Sequence, residues 1–123
     1  MKKVLLDTNA LMAIAEFHLD LISELKQAGD FTFKIVVLEG SIQELQKIIR
    51  EQRGKYQQAA RIALTVIAAQ KIEILPAEGN VDDLLTAYSR QGCLVLTQDT
   101  ELKKLLTKPY LTIRQKKKVI LIK

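Results

Sequence analysis

Apolar residues along this chain fall into two rhythms that alternate. Short, β-branched runs, Lys3–Leu6, Phe33–Leu38, Ile72–Leu75 and Cys93–Thr97, read as buried strands. Between them lie longer stretches with apolar residues three and four apart. Ile42, Leu45, Ile48 and Ile49 give one such face on a helix opened by Gly40-Ser41 and running to about Arg53. Gly54 interrupts it, and Ala60, Ala63, Leu64 and Ile67 define the buried face of the next helix, Tyr56 to Gln70. A helix is also expected from Ala10 to Ala28 with a break near His18, and another over Val81–Arg90, ended by Gly92. Thr100–Leu106 reads as a short helix before Pro109, and Leu111–Arg114 and Val119–Ile122 as two last strands around a Gln115–Lys118 turn. Strand and helix in alternation predict a mostly parallel sheet covered on both faces, a three-layer α/β/α sandwich built as one domain over residues 1–123.

The longest apolar runs, Ile35–Leu38 and Val119–Ile122, are too short to cross a bilayer, and Met1-Lys2-Lys3 leads into Val4-Leu5-Leu6 without the apolar stretch of a secretory leader. Cys93 is the only cysteine, so no internal disulfide forms and a reducing, cytoplasmic setting is expected. Charge is uneven: residues 1–101 hold 11 Lys/Arg against 14 Asp/Glu, whereas residues 102–123 hold 8 basic residues and no acidic one. Lys47, Arg50, Arg53, Lys55 and Arg61 form a second basic group mid-chain. Separate acidic and basic zones suit a protein that holds cations in one place and a polyanion beside it.

In a parallel sheet, ligands bind beyond the carboxyl ends of the strands. Asp7 directly follows the first apolar run, Glu44 lies in the first turn after the second strand, Asp82 and Asp83 open the helix after Asn80, and Asp99 and Glu101 follow the strand that ends at Thr97. Each has a structural explanation: a capping box Ser41-Ile42-Gln43-Glu44, an Asx cap at Asp7-Thr8-Asn9, and helix-dipole preference for the others. Together, however, four segments deliver carboxylates to one edge, where they repel one another unless cations neutralise them. Oxygen donors without His or Cys partners select Mg2+ or Mn2+ over zinc. His18 is the only histidine and reads as a surface or core residue; Cys93 reads as strand packing.

The stretches VLLDTNALM (Val4–Met12), SIQELQKI (Ser41–Ile48), VDDLLTAY (Val81–Tyr88) and VLTQDTEL (Val95–Leu102) resemble the PIN domain family over the whole chain. The resemblance implies a metal-dependent ribonuclease with Asp7, Glu44, Asp82 and Asp99 as the acidic, metal-holding quartet, Asn9 and Thr97 in support, and Glu101 as an outer ligand. Asp83 competes with Asp82, since a one-residue shift exchanges them. Asp82 is preferred because it turns Leu84 and Leu85 inward. Many family members carry a proline where this chain has Gly40-Ser41. The segment RGKYQQAARIAL (Arg53–Leu64) is similar to the branch containing the ribosomal-RNA-processing endonuclease, with VapC-type toxins as the alternative.

The expected chemistry is metal-assisted hydrolysis of a phosphodiester, leaving a 5′-phosphate and a 3′-hydroxyl as the resemblance implies. Arg50, Arg53, Lys103, Lys104, Arg114, Lys116, Lys117 and Lys118 are candidates for RNA phosphate contacts. Expected partners are RNA, a second copy of the chain, and an antitoxin or ribosome-assembly protein, with no membrane. A non-catalytic scaffold is the main rival. A receiver-type phospho-acceptor lacks its acidic pair and late-strand lysine, and a DxDxT phosphatase fails at Asn9.

Overall fold

A computed structural model describes residues 1–123. In chain order the elements are β1 (Lys2–Leu6), α1 (Thr8–Glu16), α2 (Leu21–Ala28), β2 (Phe33–Leu38), α3 (Glu39–Glu51), α4 (Lys55–Ala69), β3 (Glu73–Leu75), α5 (Val81–Arg90), β4 (Leu94–Leu96), α6 (Thr100–Leu105), β5 (Tyr110–Arg114) and β6 (Lys118–Ile122). The six strands form one sheet in the order β3-β2-β1-β4-β5-β6, parallel throughout except for the antiparallel hairpin β5–β6. The three-layer α/β/α fold with a mostly parallel sheet, expected from the alternating pattern, is the one observed.

Strand periodicity divides the core in two. Val4 and Leu6 of β1, Ile35 and Val37 of β2, Leu94 and Leu96 of β4, and Leu111 and Ile113 of β5 share one face with α1, α2, Leu45 of α3 and Ala60 and Ala63 of α4. The alternate residues Leu5, Val36, Leu38 and Val95 face the other way, onto Leu85 of α5 and Leu102 and Leu106 around α6. The central strands are buried on both faces, which is why they read as continuous apolar runs.

The break expected near His18 divides the Ala10–Ala28 stretch into α1 and α2: His18 takes a left-handed backbone (φ 55), and Asp20 caps α2 through the Ser23 N–H. Two details differ from the sequence pattern. Leu64 is half-buried, because the α4 face that meets α1 is narrower than the pattern suggests. The second bears on function. Helix α3 starts at Glu39, with Leu38 as N-cap and no side-chain cap, so Ser41 lies inside the first turn. The Ser41–Glu44 capping box therefore does not form: Ser41 Oγ is buried without a partner, and the exposed Glu44 is released from any capping role. Strand β2 runs into the helix without a loop, leaving no place for a serine cap.

Candidate metal centre at the β1–β4 edge

The sheet order reverses at β1: β2 and β3 lie on one side, β4 and β5 on the other. That topological switch point is where parallel sheets open a crevice beyond their carboxyl ends. The register pairs Leu6 with Leu96, so the residues that follow them, Asp7 and Thr97, emerge side by side. The Asp7 N–H donates to Leu96 O at 3.2 Å and the Thr97 N–H to Leu111 O at 3.1 Å, fixing both at the edge.

Asp7 accepts two hydrogen bonds, one of them the helix cap expected from the sequence. It is the N-cap of α1, with Oδ1 accepting from the Ala10 N–H at 2.6 Å. Its Oδ2 accepts from the hydroxyl of the fully buried Thr97. The Thr97 Oγ1 accepts in turn from the Asp99 N–H at 3.0 Å, and Asp99 caps α6 through the Glu101 and Leu102 N–H groups. One hydroxyl thus ties the carboxylate on β1 to the backbone of the loop after β4.

A cavity of about 200 Å³ opens at this edge, lined by Asp7, Thr8, Asn9, Glu44, Asn80, Val81, Asp82 and Asp99. Four carboxylates from four segments meet around it, and no lysine or arginine lines it. Its electrostatics are those of an uncompensated anionic cluster. Burial pushes the Asp7 carboxyl up to about 6, against the two hydrogen bonds it accepts, and Asp82 and Asp99 raise it further. Asp82 is also raised, first by desolvation and then by Asp99 and Asp83. Asp7 is 5% exposed and makes no ion pair, so no side chain of this protein offsets its charge.

Gly40 brings the helix starts together. A Cβ there would come within 2.7 Å of the Val81 side chain, so the first turn of α3 closes on the first turn of α5 only because the residue is glycine.

Two residues that the sequence reading did not single out share the cavity. Thr8 is 6% exposed, and its Oγ1 has no hydrogen-bond partner. Asn80 caps α5, its Oδ1 accepting from the Asp83 N–H at 3.1 Å, which leaves its amide N–H donors without a partner in the chain. Both are short polar residues before or within a helix start. In sequence such residues look like ordinary caps.

The remaining expectations divide. Asp82 and Asp83 are both exposed, but only Asp82 lines the cavity; Leu85 is buried and Leu84 half-buried against the smaller core. Glu101 also lies outside the cavity, in an exposed ion pair with Lys104 at 3.3 Å. None of the basic residues expected to contact RNA lines the cavity. Arg50 and Arg53 are exposed at the α3–α4 corner, Lys104 on α6, and Arg114 and Lys116–Lys118 on the β5–β6 hairpin, while Lys103 of α6 is half-buried. His18 is exposed, and Cys93 is half-buried beside β4.

The donor set fits a hard divalent cation such as Mg2+ or Mn2+: carboxylate, amide and hydroxyl oxygens, with no nitrogen or sulfur ligand in the wall. No three of the carboxylates converge closely enough to make a ready-formed coordination shell. A bound ion would therefore draw them inward or keep several of its waters, as Mg2+ commonly does.

The sequence profile of the PIN like domain family matches residues 4–116. The chain belongs to the PIN-like domain family. It is 33% identical over 100 residues to ribonuclease VapC9 of Archaeoglobus fulgidus, covering 80% of this chain and 70% of that one. It is 30% identical over 124 residues to ribonuclease VapC4 of Methanocaldococcus jannaschii, covering 95% and 94%. Among solved structures it is similar to the PIN domain endonuclease Utp24, with a TM-score of 0.74 over 97% of this chain and 90% of that one at 23% identity. PAE2754 from Pyrobaculum aerophilum gives a TM-score of 0.53 at 23% identity, covering 90% and 83%. No helix is long and apolar enough to cross a membrane.

Proposed function

We propose that this chain is a metal-dependent endoribonuclease whose active site is the acidic cavity at the β1–β4 edge. One observation carries the reading: Asp7 is a buried carboxylate with two like charges nearby and no cationic side chain, in a cavity that also holds the unpartnered Thr8 hydroxyl. A structural carboxylate is satisfied by the chain itself; this one lacks a countercharge. Asp7, Asp99, Asp82 and Glu44 would hold the ion, Mg2+ or Mn2+. When bound, such an ion supplies Lewis-acid activation of water and neutralises charge at the leaving oxygen.

The chain's own residues do the rest. Thr97 fixes the rotamer of Asp7 and couples it to the Asp99 loop, so both carboxylates keep one geometry. Asn9 and Asn80 amide groups and the Thr8 hydroxyl supply uncharged donors to phosphate oxygens in a wall that is otherwise anionic. Asp83 and Glu101 act from outside, by adding negative charge.

The cellular role has two readings. The likeness of the Arg53–Leu64 segment to the ribosomal-RNA-processing branch of the family supports processing of ribosomal RNA with a ribosome-assembly partner. The two ribonuclease VapC relatives favour a toxin held by an antitoxin, in which a homodimer is the expected assembly. Expression in a surrogate host separates them: a toxin arrests growth in an Asp7-dependent way. The activity itself is tested by incubating wild-type and Asp7→Asn protein with RNA in Mg2+, Mn2+ or EDTA. Cleavage by wild type in metal alone supports the proposal; no cleavage, or equal cleavage by the variant, leaves a PIN scaffold.

A further inference from the structure

We propose that a second groove, at the opposite end of α1 from the acidic cavity, docks an unpaired stretch of the RNA substrate. In this proposal Lys55 and Lys116 hold backbone phosphates and Tyr56 stacks on a base. It rests on the ribonuclease reading for the identity of the ligand, and it concerns surface which that reading does not use.

The groove, about 450 Å³, lies between the end of α1, the start of α4 and the tip of the β5–β6 hairpin, with Phe17, His18, Lys55, Gln58, Ile62 and Lys116 in its wall. One residue of the mid-chain basic group, Lys55, and one of the C-terminal group, Lys116, far apart in sequence, share this groove. The hairpin tip is well placed to be rigid. Gln115 and Lys116 both take left-handed backbone (φ 54 and 58), the conformation of a tight two-residue turn, and the Lys116 ammonium sits 5.6 Å from the centre of the Phe17 ring. Neither Lys55 nor Lys116 forms an ion pair; Glu16 borders the groove yet bridges neither. Two cations thus stand without countercharge on one wall. Tyr56, the next residue after Lys55, is 67% exposed, and the other exposed large apolar residues, Met1, Ile74 and Leu105, are not aromatic. Tyr56 lies outside the groove wall, on the adjoining side of α4; an open ring next to a groove that holds unpaired cations is an arrangement that takes up single-stranded nucleic acid, where bases are free to stack.

Two connections join the groove to the cavity. Asp7 is the N-cap of α1 and Phe17 its C-cap, a straight-line separation of roughly 15 Å at the rise of an α-helix; most of α1 is buried, so a bound strand would pass from one site to the other over the surface around it. In addition, the Gln98 side-chain carbonyl accepts from the Thr112 hydroxyl and the Ile113 N–H, both at 2.9 Å. The strand that leads to Lys116 is thereby fastened to the loop that carries Asp99.

The test is fluorescence anisotropy of wild type, Lys55→Met/Lys116→Met and Tyr56→Ala with a labelled single-stranded RNA and a blunt RNA duplex, in EDTA over a salt series. Methionine retains the packing of the lysine stem on Phe17, and thermal melts check folding. The double variant is expected to bind single strands roughly tenfold more weakly, with the log–log salt slope less steep by about 1.4, the value for two lost phosphate contacts. Tyr56→Ala is expected to weaken single-strand binding about tenfold, leaving the slope and duplex binding unchanged. Cleavage by the variants should show raised KM with kcat retained. Unchanged single-strand binding in both variants overturns the proposal, as does equal loss on duplex and single strand in Tyr56→Ala. If wild type cleaves no RNA, the ribonuclease reading fails while anisotropy still decides the groove; if it cleaves and the variants keep its KM, the groove fails alone.

Discussion

Asp7 and Glu73 are both acidic residues at strand ends of the same sheet, and their environments are opposite. Glu73 begins the edge strand β3, exposed, with the Lys34 ammonium 2.5 Å away, and that hydrogen bond and charge pull its carboxyl below the usual range. Asp7 ends the central strand β1, buried, and its carboxyl is pushed up to about 6. The edge residue has a partner and needs nothing more. The central residue gains two hydrogen bonds and two like charges, and those hydrogen bonds do not compensate for lost water. Carboxylates held at such a cost cluster at functional sites, which is the role proposed for Asp7.

The largest effect that separates the two is on catalysis. Asp7→Asn and Asp99→Asn are expected to lower RNA cleavage by about 100-fold or more, since each removes charge that would hold the metal; Glu73→Gln should cleave like wild type. Initial rates on one RNA at saturating Mn2+ measure all three.

Stability against pH gives the next contrast. Because the folded pKa of Asp7 lies above its ordinary 3.8, the native state holds the proton longer than the unfolded chain. Stability of the metal-free protein should therefore fall as pH rises from about 4 to 6, by about 3 kcal/mol from this one group, and stay low above that. Denaturation curves in EDTA should show wild type losing this increment relative to Asp7→Asn, which carries no such proton. Parallel curves for the two proteins would remove Asp7 from the account.

Metal reverses that trend. Saturation to 100 times Kd should add about 2.7 kcal/mol to wild type at pH 7.5. The gain should shrink below pH 6 as protons compete for Asp7, and vanish in Asp7→Asn.

Smaller still is Thr8→Val, which replaces a buried hydroxyl lacking any partner by a methyl group of similar shape. The metal-free variant should be as stable as wild type or more so by about 1 kcal/mol, while cleavage falls several-fold. A loss of stability instead would show that the hydroxyl is satisfied within the fold. Least of all, Glu73→Gln should leave the melting temperature unchanged at moderate salt, as expected of an exposed pair.

The same contrast explains what could be read from the sequence. The order of elements and the carboxyl-edge position of Asp7, Asp82 and Asp99 were legible, because the central strands are short apolar runs and each Asp directly follows a strand or opens a helix. Register then makes Asp7 and Thr97 neighbours once β1 and β4 pair, as parallel topology requires. Ser41 misled, since its spacing to Glu44 matches a capping box, and only the start of α3 at Glu39 shows that the box is empty. Thr8 and Asn80 gave no signal beyond that of ordinary helix starts. The groove at the end of α1 was illegible for a different reason: Phe17, Lys55 and Lys116 share it only through tertiary packing, and no local pattern records it.

The most direct test is a Mn2+ titration of metal-free protein at pH 7.5, followed by electron paramagnetic resonance of the free ion. Saturable binding by wild type and Glu73→Gln, lost in Asp7→Asn, is the predicted result. Absence of binding in wild type, or equal binding in Asp7→Asn, would contradict the metal centre and the nuclease built on it.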